Sequence, residues 1–169
     1  MIKIKTLSKK YLEQASRLAD EIFTTDPIFK YDHCIPSNYY KARINKKTPP
    51  KSWQGIELAA IYVVAVDEKN DVIGNCGLYT VDKDEKEADW LSWFCVKENC
   101  RRQGTGTALL DWAIGRSKKR GKKFLRLYTS DSKNEIAAQK LYQKKEFVLR
   151  PNSKRNAGKN KIFERQLKL

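Results

Sequence analysis

Histidine and methionine are almost absent from this sequence, which contains one of each in 169 residues. Its four cysteines stand at positions 34, 76, 95 and 100 and form no C-x-x-C pair. Structural zinc sites are built from such pairs and from histidines, so we expect no metal centre. We interpret Cys76 and Cys95, which lie in apolar runs, as small buried side chains. Cys100, in a basic loop, is a less favoured candidate for a reactive thiol.

Long hydrophobic runs are also missing. The longest nearly apolar stretch covers residues 56–66 and is interrupted by Glu57. A membrane-spanning helix needs about 20 apolar residues, so this shorter stretch predicts a buried strand instead. The first residues, MIKIKTLSKK, lack the apolar core of a secretory signal. We therefore expect a cytoplasmic protein that does not contact a membrane.

Positive charge is abundant: 35 lysines and arginines stand against 20 acidic residues, and the formal net charge is +15. A basic surface attracts polyanions, such as nucleic acid or a multiply charged nucleotide cofactor. The basic residues are spread along the chain, with denser stretches at 43–51, 116–123 and 150–161. A solvated, lysine-rich surface is the simpler interpretation. The length and the 40% hydrophobic content predict one folded domain that covers residues 1–169.

Alternating and helical hydrophobic patterns predict the secondary structure. Strands are expected at residues 1–6, 59–66, 72–81, 88–96, 123–129, 147–149 and 162–169. Helices are expected at 8–22, at 38–45, from 106 to a stop at Gly121, and at 136–145. Ser132 and Glu135 have the spacing of a capping box at the start of the last helix. A basic loop at 150–161 is expected between the last two strands.

A short basic turn with two glycines lies between the strand at 88–96 and the helix that follows it. Its sequence is Arg101-Arg102-Gln103-Gly104-Thr105-Gly106. A turn that opens into a helix presents unpaired backbone N–H groups to a phosphate or pyrophosphate. The turn is not a P-loop, because Thr107 and Ala108 follow Gly106 in place of Lys and Ser or Thr. It is not a dinucleotide-binding fingerprint either, because Leu109 stands at the position of the third glycine.

The turn fits a third pattern, Arg/Gln-x-x-Gly-x-Gly/Ala after a strand that ends in Val. Arg101, Gly104 and Gly106 occupy the fixed positions, and Val96 stands at the strand end. In this it resembles the acetyl-CoA signature of the GCN5-related N-acetyltransferase (GNAT) superfamily. Residues 134–147, NEIAAQKLYQKKEF, are similar to the second signature of that family, N-x-x-A-x-x-L-Y-x-x-x-G-F, except that Glu146 replaces the glycine. The predicted order of helices and strands is also that of the family.

The resemblance implies an α/β (α+β) fold with a mixed, mostly antiparallel central sheet, a parallel splayed strand pair and flanking helices. It implies acetyl-CoA (coenzyme A) as co-substrate and Tyr142 as the general acid that protonates the departing CoA thiolate. The residues that it assigns to cofactor binding are Phe94, Cys95, Val96, Arg101, Arg102, Gln103, Gly104, Thr105, Gly106, Thr107 and Asn134. Taken alone, Tyr142 would be interpreted as a core residue, since it shares a helix face with Ala138.

The group that removes a proton from the acceptor amine is not identified by either signature. An alkylamine has a pKa of about 10.4 and must lose a proton before it attacks the thioester. Some members of the family, the histone acetyltransferases among them, place a glutamate on the central strand, and Trp90 occupies that position here. Asp89 is our tentative base. Ser92 acting through water, His33, or no single residue are the alternatives.

Aromatic residues mark a candidate acceptor site. Trp90 and Trp93 lie three residues apart on a strand, so we expect them on opposite faces, one in the core and the other beside the acceptor. Both are tentative substrate-binding residues. Tyr39, Tyr40 and Trp53 join this aromatic set from the connecting segments, although most of these rings are better explained as core.

Together these observations predict an acetyl-CoA-dependent N-acetyltransferase that acts on a primary amine of a small molecule, by direct attack on the thioester. The alternative acceptor is a peptide or protein amine, for instance in a ribosomal protein. A nucleic-acid-binding or regulatory module without turnover ranks below both, because it would have little need for Tyr142 and the intact glycine turn together. Nucleic acid is therefore not the expected partner. The sequence is compatible with a homodimer.

Overall fold

The computed structural model describes residues 2–24, 35–47, 57–157 and 159–169, apart from the side chains of residues 57–59 and 157. In these ranges the strands are β1 (Lys3–Thr6), β2 (Glu57–Val66), β3 (Val72–Val81), β4 (Ala88–Val96), β5 (Phe124–Ser130), β6 (Val148–Leu149), β7 (Arg155–Ala157) and β8 (Asn160–Lys168). The helices are α1 (Lys9–Thr24), α2 (Pro36–Ile44), α3 (Thr105–Lys119) and α4 (Ile136–Lys144).

All the described strands belong to one mixed sheet, in the order β1-β2-β3-β4-β5-β8-β6, with β7 paired to β8. The pairs are antiparallel except β4 and β5, which run parallel. A right-handed crossover through α3 is the usual way to connect such a parallel pair. The predicted fold class, a mostly antiparallel sheet with one parallel pair, is confirmed.

Helices cover both faces of the sheet. On one face, α3 and α4 pack their apolar side chains against strand residues such as Leu91 and Leu127. On the other face, α1 and α2 pack against Tyr62 and Val64. We call these the α3–α4 face and the α1–α2 face. Each face buries an apolar side of the sheet, which explains why the long strands read as nearly continuous hydrophobic runs.

The apolar stripe of α1 fixes this helix on the sheet. Its buried residues are Tyr11, Ala15, Leu18 and Ala19, the spacing of one helix face. Two polar contacts fix its position further. Asn75 Nδ2 on β3 donates to the Ala15 carbonyl at 2.7 Å, and the Val72 N–H donates to Gln14 Oε1 at 2.8 Å. The helix therefore stands at a defined position beside the end of β4.

The parallel strands β4 and β5 separate part of the way along their length. Their pairing runs from Ala88↔Phe124 to Trp90↔Arg126 and ends there. Beyond that point β4 continues beside β3 as far as Val96, while β5 continues beside β8. The facing edges of the two strands then carry no ladder hydrogen bonds to each other. This is the splayed pair that the family resemblance implied.

A β-bulge interrupts β4 in its splayed part. Gly77 pairs with Ser92 and Asn75 pairs with Cys95, so two residues of β4 stand opposite one residue of β3. Trp93, one of those two residues, has a φ of 44°, a left-handed conformation that is rare for a bulky side chain. The extra residue resets the alternation of side chains along β4. As a result Trp93 packs on the α1–α2 face, the same face as Ser92.

The C-terminal region differs from the sequence prediction. The stretch 150–161, expected as a loop, contains β7, which pairs with β8 from Arg155↔Ile162 to Ala157↔Asn160. Its polar composition carried no strand signal, because the pairing uses the backbone and an ion pair of Arg155 with Glu164 at 3.8 Å. Elsewhere the differences are small: α2 starts at Pro36 and β5 ends at Ser130.

Candidate active site

A cleft opens where β4 and β5 diverge. It encloses about 1610 Å³ and is lined from both faces of the sheet. The α3–α4 face contributes the glycine turn and Tyr142, and the α1–α2 face contributes α1 and aromatic residues such as Trp93 and Tyr128. Pockets for drug-sized ligands measure roughly 300–1,000 Å³. This cleft is therefore large enough for a nucleotide co-substrate and an acceptor together.

The glycine turn forms the N-terminus of α3. Gly104 is the N-cap residue with a φ of 87°, a left-handed conformation that glycine adopts without steric cost. The N–H groups of the first helical turn have no partners inside the helix. Gly104, Gly106 and Thr107 line the cleft. The positive end of the α3 dipole therefore faces this space, which favours a bound anion.

Two arginines and a gap at glycine shape the anion site. Arg101 and Arg102 both line the cleft, and Arg101 Nε donates to the Val96 carbonyl at 3.1 Å. This hydrogen bond holds the guanidinium against the end of β4. A Cβ at Gly106 would lie 3.5 Å from both Phe94 and Leu141, so glycine leaves a small space between the first turn of α3 and these side chains. Together these features suit a pyrophosphate.

Two side chains of the turn hold the loop together instead of lining the cleft. Gln103 Nε2 donates to the Asn99 carbonyl at 3.1 Å. Thr105 is buried, and its Oγ1 lies 3.4 Å from the Cys100 carbonyl. Neither residue is part of the cleft wall. The prediction that Gln103 and Thr105 bind the cofactor therefore applies only to their backbone N–H groups.

The remaining residues that were predicted to bind the cofactor lie at the same cleft. Phe94, Cys95 and Val96 on β4 line the cleft, and so does Asn134 before α4. Burial raises the pKa of the Cys95 thiol to about 12. This thiol is therefore protonated at neutral pH and does not act as a nucleophile.

Tyr142 lies on α4 at the cleft, on the α3–α4 face. Its ring centroid is 6.0 Å from that of Phe94 and 5.8 Å from that of Phe147. Burial raises the pKa of Tyr142 well above its usual value, and the nearby Glu135 carboxylate raises this pKa further. The phenol therefore stays protonated at neutral pH, which is the state that a proton donor requires.

Glu135 connects the start of α4 to the end of β5. Its carboxylate accepts hydrogen bonds from Thr129 Oγ1 at 2.6 Å and from Ser130 Oγ at 2.7 Å. Ser132 caps the short turn that precedes α4, because its Oγ accepts from the Asn134 N–H at 3.4 Å. The predicted capping box is therefore half correct: Ser132 caps, whereas Glu135 bonds to the preceding strand. The arrangement holds Asn134 at the cleft.

Asp89, the tentative base, is not part of the cleft wall. It is fully buried on the α3–α4 face, and its carboxylate accepts hydrogen bonds from Thr80 Oγ1 at 2.8 Å and from Ser117 Oγ at 3.0 Å. Arg120 Nε and Lys122 Nζ lie 3.1 and 3.9 Å from its oxygens. A carboxylate with these partners stabilises the fold. We therefore correct its role from proton acceptor to buried ion-pair partner.

Trp90 does not line the cleft either. It is fully buried and donates its Nε1–H to Asp84 Oδ2 at 2.7 Å. Trp93 does line the cleft. Both tryptophans lie on the α1–α2 face, where Ala60 packs against each of their clusters. The prediction of opposite faces is wrong because the bulge adds one residue between them, and of the two tentative substrate-binding residues only Trp93 reaches the site.

Three aromatic residues at the cleft were missed in the sequence. Phe23 on α1, Tyr79 on β3 and Tyr128 on β5 line it on the α1–α2 face. Each has the spacing of a core residue, and only the separation of β4 from β5 brings it to a ligand-sized space. The hydrophobic pattern therefore held no signal that could have distinguished these rings from core.

Other predicted features do not bear on the cleft. Tyr40 is buried and is not part of its wall. His33 and Trp53 lie outside the described residues. Across the described ranges, no group of three or more His, Cys, Asp or Glu side chains is arranged to hold a metal ion. No helix in those ranges is long and apolar enough to cross a membrane.

Solved structures of several acetyltransferases are similar to this one. A GCN5-related N-acetyltransferase from Kribbella flavida shares 18% identity at a TM-score of 0.74, with 99% of this chain and 98% of that chain covered. Arabidopsis thaliana NAA60, in complex with a bisubstrate analogue, shares 16% identity at a TM-score of 0.73, with 99% of this chain and 98% of that chain covered. The ribosomal-protein-S18-alanine N-acetyltransferase from Escherichia coli shares 18% identity at a TM-score of 0.65, with 99% of this chain and 94% of that chain covered. At these identities the likeness shows the fold alone.

The family follows from the sequence itself. Residues 58–149 match the acetyltransferase (GNAT) domain, which is more than half of the chain. A comparison with curated proteins gave no match. The matched region contains the splayed strands, the glycine turn and Tyr142, the same features that form the cleft. The chain therefore belongs to the GNAT family of N-acetyltransferases.

Proposed function

We propose that the protein transfers the acetyl group of acetyl-CoA to a primary amine of a small molecule, by direct attack of the amine on the thioester. The observation that carries this proposal is the meeting of the glycine turn, the open edge of β4 and Tyr142 at one cleft. An anion site, an unpaired strand edge and a proton donor are the parts that such a transfer needs.

The residues present fit acetyl-CoA. The backbone N–H groups of residues 102–107 would hold the pyrophosphate at the start of α3. The edge of β4 near Phe94 and Val96 has no partner on β5, and backbone groups without a strand partner need another one. The amides of the pantetheine arm would supply it, with Asn134 nearby. When bound, acetyl-CoA supplies the thioester carbonyl on which the amine reacts.

Tyr142 delivers a proton to the leaving thiolate. Its ring packs against Phe94, which lies on the splayed edge of β4, so the phenol stands beside the strand segment assigned to the thioester. In the transfer the C–N bond forms and the C–S bond breaks. One proton leaves the amine and one reaches the sulfur, which yields an amide and free CoA thiol. A backbone N–H on the β4 edge stabilises the oxyanion between these steps.

The amine proton takes another route. Ser92 lies on the α1–α2 face of β4 and lines the cleft with 9% of its surface exposed. We assign its hydroxyl and a water molecule as the relay through which this proton passes to the solvent. The neighbouring indole of Trp93 provides apolar surroundings, and loss of hydration lowers the pKa of an ammonium group. A strong base in the cleft is then not required.

A peptide or protein amine is the second candidate acceptor. The cleft continues along α1 past Glu13, Arg17 and Glu21, all of them exposed. This polar rim offers room for the rest of a peptide chain. A cytoplasmic location and a homodimer stay predictions of the sequence.

Calorimetric titration with acetyl-CoA at low and high salt tests the cofactor site. We expect a Kd of about micromolar order that largely survives added salt. Gly106→Asp should weaken binding at least about tenfold, because it adds a negative charge to the first turn of α3, to which the pyrophosphate is assigned. Gly115→Asp is the matched control, since Gly115 is on the same helix, outside the cleft and with open space around a Cβ. Binding that vanishes with salt would indicate a merely basic surface and the nucleic-acid interpretation.

Release of CoA thiol with a panel of amines then tests the reaction. Turnover of free amines without turnover of peptides supports the small-molecule acceptor, and the reverse supports the peptide. If acetyl-CoA binds tightly and no amine or peptide releases thiol, the proposed function is wrong.

A further inference from the structure

The α1–α2 side of the cleft holds aromatic rings that the transfer chemistry does not require. Trp93 and Phe23 are half-buried, Tyr39 is buried, and all three line the cleft. The Phe23 and Trp93 rings meet edge to face, with centroids 5.2 Å apart and planes at 71°. The Tyr39 and Trp93 rings are 5.5 Å apart at 56°. Inclined contacts of this kind hold an indole in one orientation.

The backbone of Trp93 is strained, and the strain places this ring at the site. A φ of 44° costs free energy for any side chain except glycine, and such residues collect at ligand-binding sites. The ladder pairs on either side, Gly77↔Ser92 and Asn75↔Cys95, maintain the bulge. Without the bulge the alternation of β4 would turn this side chain to the α3–α4 face. The indole stands instead next to Ser92 and Phe94, where the acceptor and the thioester are assigned.

A second aromatic wall lies on the other side of Ser92 along β4. Tyr79 and Tyr128 line the cleft, and Trp90 is stacked on both, with centroids 6.4 Å and 4.8 Å away. The Trp90 indole is fixed by its hydrogen bond to Asp84. This wall therefore keeps its shape, and the space beside the Ser92 hydroxyl is bounded by rings on both sides.

From these walls we infer that the acceptor is a primary amine joined through a short aliphatic link to a planar aromatic group, and that Trp93 selects this group. The inference rests on the proposed function. An aromatic group packs on ring walls at offset or edge-to-face angles with an advantage over aliphatic groups of equal area. The short link follows from the closeness of Trp93 to Phe94 along β4. A free arylalkylamine and a peptide that begins with Phe or Tyr share this chemistry.

Competition between matched amines tests the selection. Rates of CoA-thiol release are measured with 2-phenylethylamine, which carries an aromatic ring, and with n-hexylamine, which is aliphatic. The variants are Trp93→Leu and, as control, Trp112→Leu, because Trp112 on α3 packs half-buried against the α3–α4 core and is not part of the cleft wall. We expect an aromatic preference in kcat/KM of about tenfold. Trp93→Leu should reduce this ratio to about twofold or less, and Trp112→Leu should keep it.

The source of the aromatic amine is distinguished with Phe-Ala-amide and Ala-Ala-amide. A preference that appears only with the dipeptides indicates a peptide acceptor, and one that appears only with the free amines indicates a small molecule. A wild-type ratio near one in both pairs, or an equal ratio in wild type and Trp93→Leu, would overturn the inference.

Binding measurements separate this inference from the proposed function. 2-Phenylethylamine is titrated into protein saturated with CoA, and its binding is followed by calorimetry. Binding that weakens in Trp93→Leu more than in Trp112→Leu supports the inference even without turnover. No binding of this amine, while acetyl-CoA still binds by calorimetry, overturns the inference alone. Failure of acetyl-CoA itself to bind overturns the proposed function.

Discussion

Replacing Asp89 by asparagine tests whether this residue stabilises the fold or accepts a proton in the reaction. The change removes the charge and keeps the size of the side chain. The carboxylate is fully buried, with Arg120 Nε at 3.1 Å and Lys122 Nζ at 3.9 Å. In Asp89→Asn both cations lose their shared anion. The amide also cannot accept as many hydrogen bonds from Thr80 and Ser117.

The size of the effect follows from how well the two cations can return to water. Removing one partner of a buried ion pair costs about 3–5 kcal/mol of stability, because an uncompensated charge stays buried. Here the side chains of Arg120 and Lys122 are 26% and 10% exposed, so both can recover part of their hydration. We therefore expect a loss near the lower end, about 3 kcal/mol. For a protein of this size that lowers Tm by roughly 6–12 °C.

Denaturant unfolding at pH 7, combined with kcat/KM against pH, is the assay. Asp111→Asn is the matched control: Asp111 is half-exposed and pairs with Lys145 at the surface. Loss of such a pair costs about 0–1 kcal/mol. We expect Asp89→Asn to lose stability and to keep the acid limb of the wild-type pH profile. Stability within about 1 kcal/mol of wild type, together with loss of that acid limb, would show that Asp89 is the base and that our structural assignment is wrong.

Three further predictions follow from burial and packing. Tyr142→Phe should lower kcat by about 10²–10⁴-fold while calorimetric affinity for acetyl-CoA is kept; an unchanged kcat would remove the tyrosine from the mechanism. Burial raises the pKa of Cys95 from 9.0 to about 12, so its contribution to stability is full below pH 9 and is lost as pH rises toward 12, by about 1.4 kcal/mol per pH unit. Urea unfolding from pH 8 to 11 should therefore show a shallower decline in Cys95→Ala than in wild type, and equal slopes would contradict this. Gly77→Ala places a Cβ 2.3 Å from the Tyr62 ring and should cost about 1–3 kcal/mol, whereas Gly115→Ala meets open space and should stabilise the helix by about 0.5–1 kcal/mol; a denaturant midpoint that moves the same way in both would refute the packing.

The parts of the fold that the sequence predicted best have clear signals at both ends. β3 and β4 start and end at the predicted residues, because apolar runs are bounded there by turns rich in charged residues. α3 ends before Gly121, whose φ of 72° explains the stop. The glycine turn was also predicted, and Gly104 there has a positive φ that few other residues adopt.

What the sequence could not show depends on contacts between distant residues. The bulge at Trp93 has no glycine or proline on β4 itself to mark it, so the simple alternation of a strand gave the wrong face. The partners of Asp89 come from β3, which carries Thr80, and from the end of α3, which carries Ser117 and is followed by Arg120. Before the fold is known, a buried and an exposed aspartate look alike. β7 was missed because its pairing is made by the backbone of a polar stretch.

The ionic contacts around Asp89 and Arg126 lie at the end of β4 and β5 where the two strands are paired. On the α3–α4 face, Asp89 ties the start of β4 to α3 through Ser117. On the α1–α2 face, Asp84 binds Trp90 of β4 at 2.7 Å and Arg126 of β5 at 2.6 Å. Trp90 and Arg126 are the last residues that pair β4 with β5.

Polar contacts on both faces of the sheet therefore lie at the point where β4 and β5 begin to separate. Beyond it each strand keeps a ladder partner on one side, and the edge turned to the cleft is left for a ligand. Asp89 and Arg126 lie at this point without lining the cleft, which favours a structural role for both. A loss of activity in Asp89→Asn should for this reason appear as weaker acetyl-CoA binding, measured by calorimetry, and leave the kcat of the saturated enzyme less affected. If acetyl-CoA binding stayed intact and kcat were lost instead, the Asp89 carboxylate would take part in the reaction.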